Sequence, residues 1–135
     1  MTSLAIVACH GAVNSMIQVM TVTMAALVSG VRVRVLFRDE AILSVTKNGQ
    51  SIPLSEFYGT RKEAVAARLR ERGLDDIPKL LREARDLGDV RLYACSLSMQ
   101  MCGVGADELV DDIEVRGITA FLLEDIANAD VVLTF

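Results

Sequence analysis

The residues of this chain best suited to covalent or proton-transfer chemistry are its three cysteines and its single histidine. Cys9 and His10 close an apolar run that opens at Leu4, and Cys95 closes a second run that opens at Val90. The thiolate is the nucleophilic form of cysteine, so reactivity follows acidity. Cys95 stands between that second run and a helix-like segment that opens at Ser96. Free amides at a helix start, here those of Ser96 and Leu97, stabilise an anion together with the helix dipole. Such placement lowers a cysteine pKa from about 8.5 towards roughly 3.5–7.5, and two units correspond to about 2.7 kcal/mol.

Each of these residues also has a plain structural reading. Cys95 could be a small buried hydrophobe at a strand end, since cysteine is among the most buried residue types. The same holds for Cys9, and more so for Cys102. On one continuous helix Cys102 would lie roughly 10.5 Å from Cys95, beyond the reach of a disulfide, about 7 Å between Cα atoms. His10 could relay a proton to a thiol, or be a hydrogen-bonded loop residue. Asp39 and Glu40 could rim a crevice or stand solvated. Met99 and Met101 read as core, or as a soft contact surface. A zinc site from Cys9, His10, Cys95 and Cys102 has no C-x-x-C spacing behind it. No G-x-G-x-x-G or Gly-Lys-Ser/Thr phosphate loop is present. The expectation is therefore no metal and no organic cofactor.

The elements that must position these thiols are legible in the hydrophobic pattern. Residues 4–8 are a short continuous apolar run, as in a strand covered on both faces. A helix follows, capped by Asn14 or Ser15 and stopped at Gly30. Residues 31–37 read as a strand in which Arg32 and Arg34 alternate with valines, which suggests an edge position. Residues 41–47 read as a short helix, with a hairpin at Asn48-Gly49 as the alternative. Thr60 and Glu63 make a capping-box pattern opening a charged helix that ends at Gly73. Asp76 opens another, with Pro78 in its first turn and apolar residues on one face up to Gly88. A strand at 90–94 and a helix from Ser96 to Cys102 follow. Helix at 106–112, strand at 113–115, helix at 118–128 and strand at 131–134 complete the pattern. Alternating strands and helices imply an α/β fold, a doubly wound parallel sheet of about five strands in a single domain over residues 1–135. In the order 2-1-3-4-5, Cys9 and Cys95 would end neighbouring strands beside the switch point, their sulfurs in one crevice.

Composition narrows the function classes. The chain has 135 residues, long enough for a sizeable core. It is 52% apolar but only 4% aromatic, so that core is aliphatic. Fourteen basic and 18 acidic residues leave a net charge of −4, which gives no electrostatic reason to expect nucleic acid or an anionic membrane surface. The most apolar long window, residues 12–31, is broken by Asn14, Ser15, Gln18, Thr21 and Thr23, which argues for a buried helix over a membrane span. Met1-Thr2-Ser3 lacks the basic start of a signal peptide, and three cysteines without such a signal suggest reduced thiols. The expected location is the cytoplasm.

The segment Tyr93-Ala94-Cys95-Ser96-Leu97-Ser98-Met99-Gln100-Met101-Cys102-Gly103 resembles the DsrE/DsrF-like family, in its subgroup with an A-C-x-x-[ST]-M signature after a strand. Residues 108–117 and 121–131 are also similar to it. The likeness is specific over about residues 77–135 and loose before them. It implies a flavodoxin-like sheet, assembly into trimers or hexamers, and a role carrying sulfane sulfur on a cysteine between donor and acceptor proteins. The motif cysteine falls on Cys95. After the second strand the subgroup tends towards Phe-Trp-Gly, whereas this chain has Arg38-Asp39-Glu40.

The leading expectation is thus a cytoplasmic sulfur-relay protein, a sulfurtransferase-like carrier, in which Cys95 accepts sulfane sulfur as a persulfide. Two alternatives stand beside it: a thiol redox protein using Cys9 and Cys95, and a non-catalytic oligomeric binding module.

Overall fold

Five segments pair side by side, all parallel: β1 (Ser3–Ala8), β2 (Arg32–Phe37), β3 (Val90–Cys95), β4 (Glu114–Arg116) and β5 (Val131–Thr134). The computed structural model describes residues 2–47 and 52–135. The helices are α1 (Val13–Val28), α2 (Ala41–Ser44), α3 (Lys62–Glu71), α4 (Ile77–Leu87), α5 (Ser96–Cys102) and α6 (Ile118–Phe121). The expected α/β class and strand number are what forms.

The strand order is β4-β3-β2-β1-β5, not 2-1-3-4-5. The chain steps in one direction from β1 to β4, so right-handed crossovers place the intervening helices on one face. The last crossover runs back across the sheet, carries α6 on the other face and sets β5 beside β1. On the well-covered face, Leu4, Ile6, Val33, Val35, Phe37 and Ala94 pack with Met16, Val19 and Met20 of α1 and Leu81 and Ala84 of α4. A smaller cluster on the other face joins Ala5, Val7, Leu36, Tyr93 and Cys95 to Phe121 of α6.

This order corrects the reading of β2. It lies at the centre of the sheet, not at an edge. Its polar alternation arises because one sheet face has little helix above it, and Arg32 and Arg34 project from that face. Other local expectations also change. Asn14 does not cap α1; its side-chain oxygen accepts from the Ser55 amide at 3.0 Å and ties down the later loop. Thr60 caps nothing, because a 3-10 turn at Glu56–Arg61 leads into α3. Residues 106–112 form only a 3-10 turn, Ala106–Glu108, before Leu109 bridges to Thr46. By contrast, α4 starts as expected, with Asp76 accepting from the Lys79 amide at 3.1 Å. The short helix α2 forms, while Asn48-Gly49 lies outside the described residues.

The loops at the carboxyl ends of β1 and β2 are pressed together. The Gly11 amide donates to a Glu40 carboxylate oxygen at 2.9 Å, and the Ser44 hydroxyl donates to the Gly11 carbonyl. A Cβ on Gly11 would lie 2.5 Å from the Glu40 carbonyl oxygen. Since that neighbour is backbone, Gly11→Ala is expected to cost about 1–3 kcal/mol through forced displacement. Denaturant titration should show a lower midpoint with an unchanged slope.

Candidate functional site

Strand register builds the site. Ala8 is level with Phe37, and Phe37 with Ala94. One step on, Cys9, Arg38 and Cys95 therefore stand side by side at the carboxyl edge, and Cys95 is paired with Arg116 of β4. All four belong to the face that carries α6. The Arg38 amide donates to the Ala8 carbonyl at 2.8 Å, which fixes that residue in the row.

The switch point of the sheet falls where adjacent strands send their connections to opposite faces. β3 leads to α5 on the covered face, and β4 leads to α6 on the other. Cys95 is thus at the switch point, but it shares it with β4 and Gly117, not with β1. Cys9 is separated from Cys95 by the whole of β2. Two strand spacings make about 9.6 Å between Cα atoms, which excludes a direct disulfide in this state. The pairing of these two thiols for redox chemistry loses its geometric basis. Mild oxidation of the monomer should leave its intact mass without the loss of two hydrogens.

Cys95 itself is fully buried, at 0% exposure. Burial pushes its thiol up, but hydrogen bonds from the Ser98 amide, the Ser98 hydroxyl, the Arg38 guanidinium and the Leu97 amide outweigh it. The net direction is below the ordinary value. The amides facing the sulfur are those of Leu97 and Ser98, one residue further along than Ser96 and Leu97. Helix α5 has only seven residues, so directed hydrogen bonds matter more here than a dipole. Ser98 is buried, and its oxygen accepts from the Asp39 amide at 2.8 Å, which leaves its proton free for the sulfur. Asp39 adopts a left-handed backbone, φ 50°, to present that amide.

Arg38 and Ser98 are the functional candidates that sequence reasoning missed. The Arg38 Nε is buried without a hydrogen-bond partner. Among the described residues Arg38 forms no ion pair, and its guanidinium is one of the groups that hold the Cys95 thiol down. A charged residue closing the otherwise apolar run Val35-Leu36-Phe37 was the available signal.

The remaining candidates lie apart. Cys9 is half-buried against the smaller cluster, and its amide donates to the Phe135 carbonyl at 2.8 Å. His10 is exposed, with Nδ1 3.8 Å from a Glu40 oxygen. Ser96 is half-buried beside Gly117, and the Leu97 side chain is exposed. Cys102 ends α5 with its sulfur 3.8 Å from the Asp39 carbonyl. Met99 is core and Met101 exposed. Among the described residues, no three His, Cys, Asp or Glu side chains gather as metal ligands, and no helix is long and apolar enough to cross a membrane.

The Bacillus subtilis (strain 168) protein YrkE is 29% identical over 68 residues, covering 50% of this chain and 42% of that one. The chain thus spans about two-fifths of the length of this curated relative. Two solved structures share the fold. The MTH1491 protein of Methanobacterium thermoautotrophicum has a TM-score of 0.66 at 13% identity, covering 98% of this chain and 99% of its own. The E. coli ychN protein has a TM-score of 0.66 at 16% identity, with both chains covered in full. The sequence profile described as the DsrE/DsrF/DrsH-like family matches residues 26–134. With that match over most of its length, the chain belongs to the DsrE/DsrF/DrsH-like family, a family of the sulfur-relay type.

Proposed function

We propose that this protein carries sulfane sulfur on Cys95. The observation that carries the reading is a fully buried thiol at the strand-to-helix switch point, with Ser98, Arg38 and Leu97 placed to hold it below its ordinary value. In the loading step the Cys95 thiolate attacks the outer sulfur of a donor persulfide. A new S–S bond forms at Cys95, the donor S–S bond breaks, and the donor leaves as a thiolate. In the unloading step an acceptor thiolate attacks the outer sulfur of the Cys95 persulfide, and the Cys95 thiolate leaves. Neither step needs an outside oxidant or reductant. The groups that lower the thiol pKa also make Cys95 a better leaving group.

Burial sets a condition on both steps. Ile118 and Phe121 pack in the cluster that encloses Cys95. Access requires this cluster to open, and α6 is its shortest element, a single turn followed by the π turn Leu122–Ile126. The proposed setting is cytoplasmic, with the chain as a homo-oligomer between a sulfur-donor and a sulfur-acceptor protein. Incubation with inorganic polysulfide, desalting, and addition of cyanide should release close to one thiocyanate per chain. A chain that takes up no transferable sulfur would leave Cys95 as a packing residue of a binding module.

A further inference from the structure

Four arginines converge on the sheet face that α6 leaves open. Arg32 and Arg34 come from β2, Arg91 from β3 and Arg116 from β4. Register sets Arg34 level with Arg91, with Cα atoms about 4.8 Å apart. With Tyr93 they line a groove of about 430 Å³. This concentration stands against a chain whose net charge is −4.

The charges are unevenly matched. Arg34 pairs with Asp89 at 2.9 Å. Arg116 pairs with Glu124 and with Asp125, the latter at 3.2 Å, and its guanidinium lies over the Tyr93 ring, 4.8 Å from the centroid. Arg32 and Arg91 form no ion pair among the described residues, and Arg91 is exposed. Like charges on adjacent strands repel, and an anion held between Arg32 and Arg91 would relieve that repulsion. Glu124 and Asp125 also line the groove but are engaged by Arg116, which leaves Arg32 and Arg91 for a compact anion.

We propose that this groove is a binding site for a compact multivalent oxyanion of the phosphate or sulfate class, gripped by Arg32 and Arg91. Planar guanidinium forks match such oxygens in bidentate fashion. The proposal does not depend on sulfur chemistry at Cys95.

Calorimetric titration of the full chain with inorganic pyrophosphate and, separately, sulfate tests it, with potassium chloride of equal ionic strength as reference. At least one anion should bind with one site per chain, and the tighter of the two identifies the source chemistry. The double variant Arg32→Gln/Arg91→Gln should weaken that binding by about tenfold or more. Its fold should persist, because removal of like charges relieves repulsion, and thermal unfolding checks this. The proposal is overturned if neither anion exceeds the chloride reference, or if the folded double variant binds as tightly. It is also overturned if an oligonucleotide displaces the anion. A change of oligomeric mass in the double variant without anion binding would assign the face to a second copy and overturn it as well.

Discussion

Replacing Cys95 by Ser should abolish stable sulfur loading while Cys9→Ser and Cys102→Ser load normally. Serine is nearly isosteric with cysteine, so the fold should survive. A hydroxyl at this buried point still has the Ser98 and Leu97 amides as donors, which limits the cost to about 1 kcal/mol. Loss of loading therefore reports chemistry and not unfolding, and circular dichroism of the variant secures that point. The other two thiols lack this environment. Cys102 faces the Asp39 carbonyl, and Cys9 is separated from the Leu97 and Ser98 amides by β2. Loading of Cys95→Ser to the wild-type level would remove Cys95 from the site.

The second large effect is expected at Arg38. Arg38→Met keeps an unbranched stem against the sheet but removes the cation beside the sulfur. One charge-assisted hydrogen bond contributes about 1.5 kcal/mol, so the acid dissociation constant of the thiol should fall roughly tenfold. Absolute alkylation rates mix acidity with access, because Cys95 is buried. The midpoint of the rate against pH isolates acidity, and that midpoint should move upward in Arg38→Met. Ser98→Ala should move it in the same direction.

Stability should carry the same signature. The folded thiol titrates below its ordinary value, and the unfolded thiol near about 8.5. Between those two points the unfolded chain binds more protons, so stability rises with pH. The contribution is fully present above the unfolded value and is lost as pH falls through the folded one. The stability difference between wild type and Cys95→Ser should therefore widen with rising pH across that window. Urea midpoints measured across it check the sign, and in Arg38→Met the widening should shrink.

Much of this was legible in the residues themselves. The continuous apolar run of β1, the Asp76 cap and Pro78 of α4, and the strand-to-helix step at Cys95 are local signals with local causes. Strand order was not. The same alternation of strands and helices satisfies several orders, and the choice rests on which way each crossover runs. That one ambiguity put Cys9 beside Cys95, while the alternating arginines of β2 suggested an edge. Arg38 was missed for a related reason. A charge after an apolar strand reads as solvated until register shows a sulfur on the neighbouring strand. Ser98 was hidden because its partner, the Asp39 amide, becomes available only through a left-handed turn.

The most direct test is the location of the added sulfur. Wild-type protein loaded with polysulfide, trapped with iodoacetamide and digested should carry one extra sulfur atom on the peptide containing Cys95. That peptide should lose it on treatment with a thiol acceptor. Extra sulfur confined to the Cys9 or Cys102 peptide, or retained on Cys95 in the presence of the acceptor, would contradict the account.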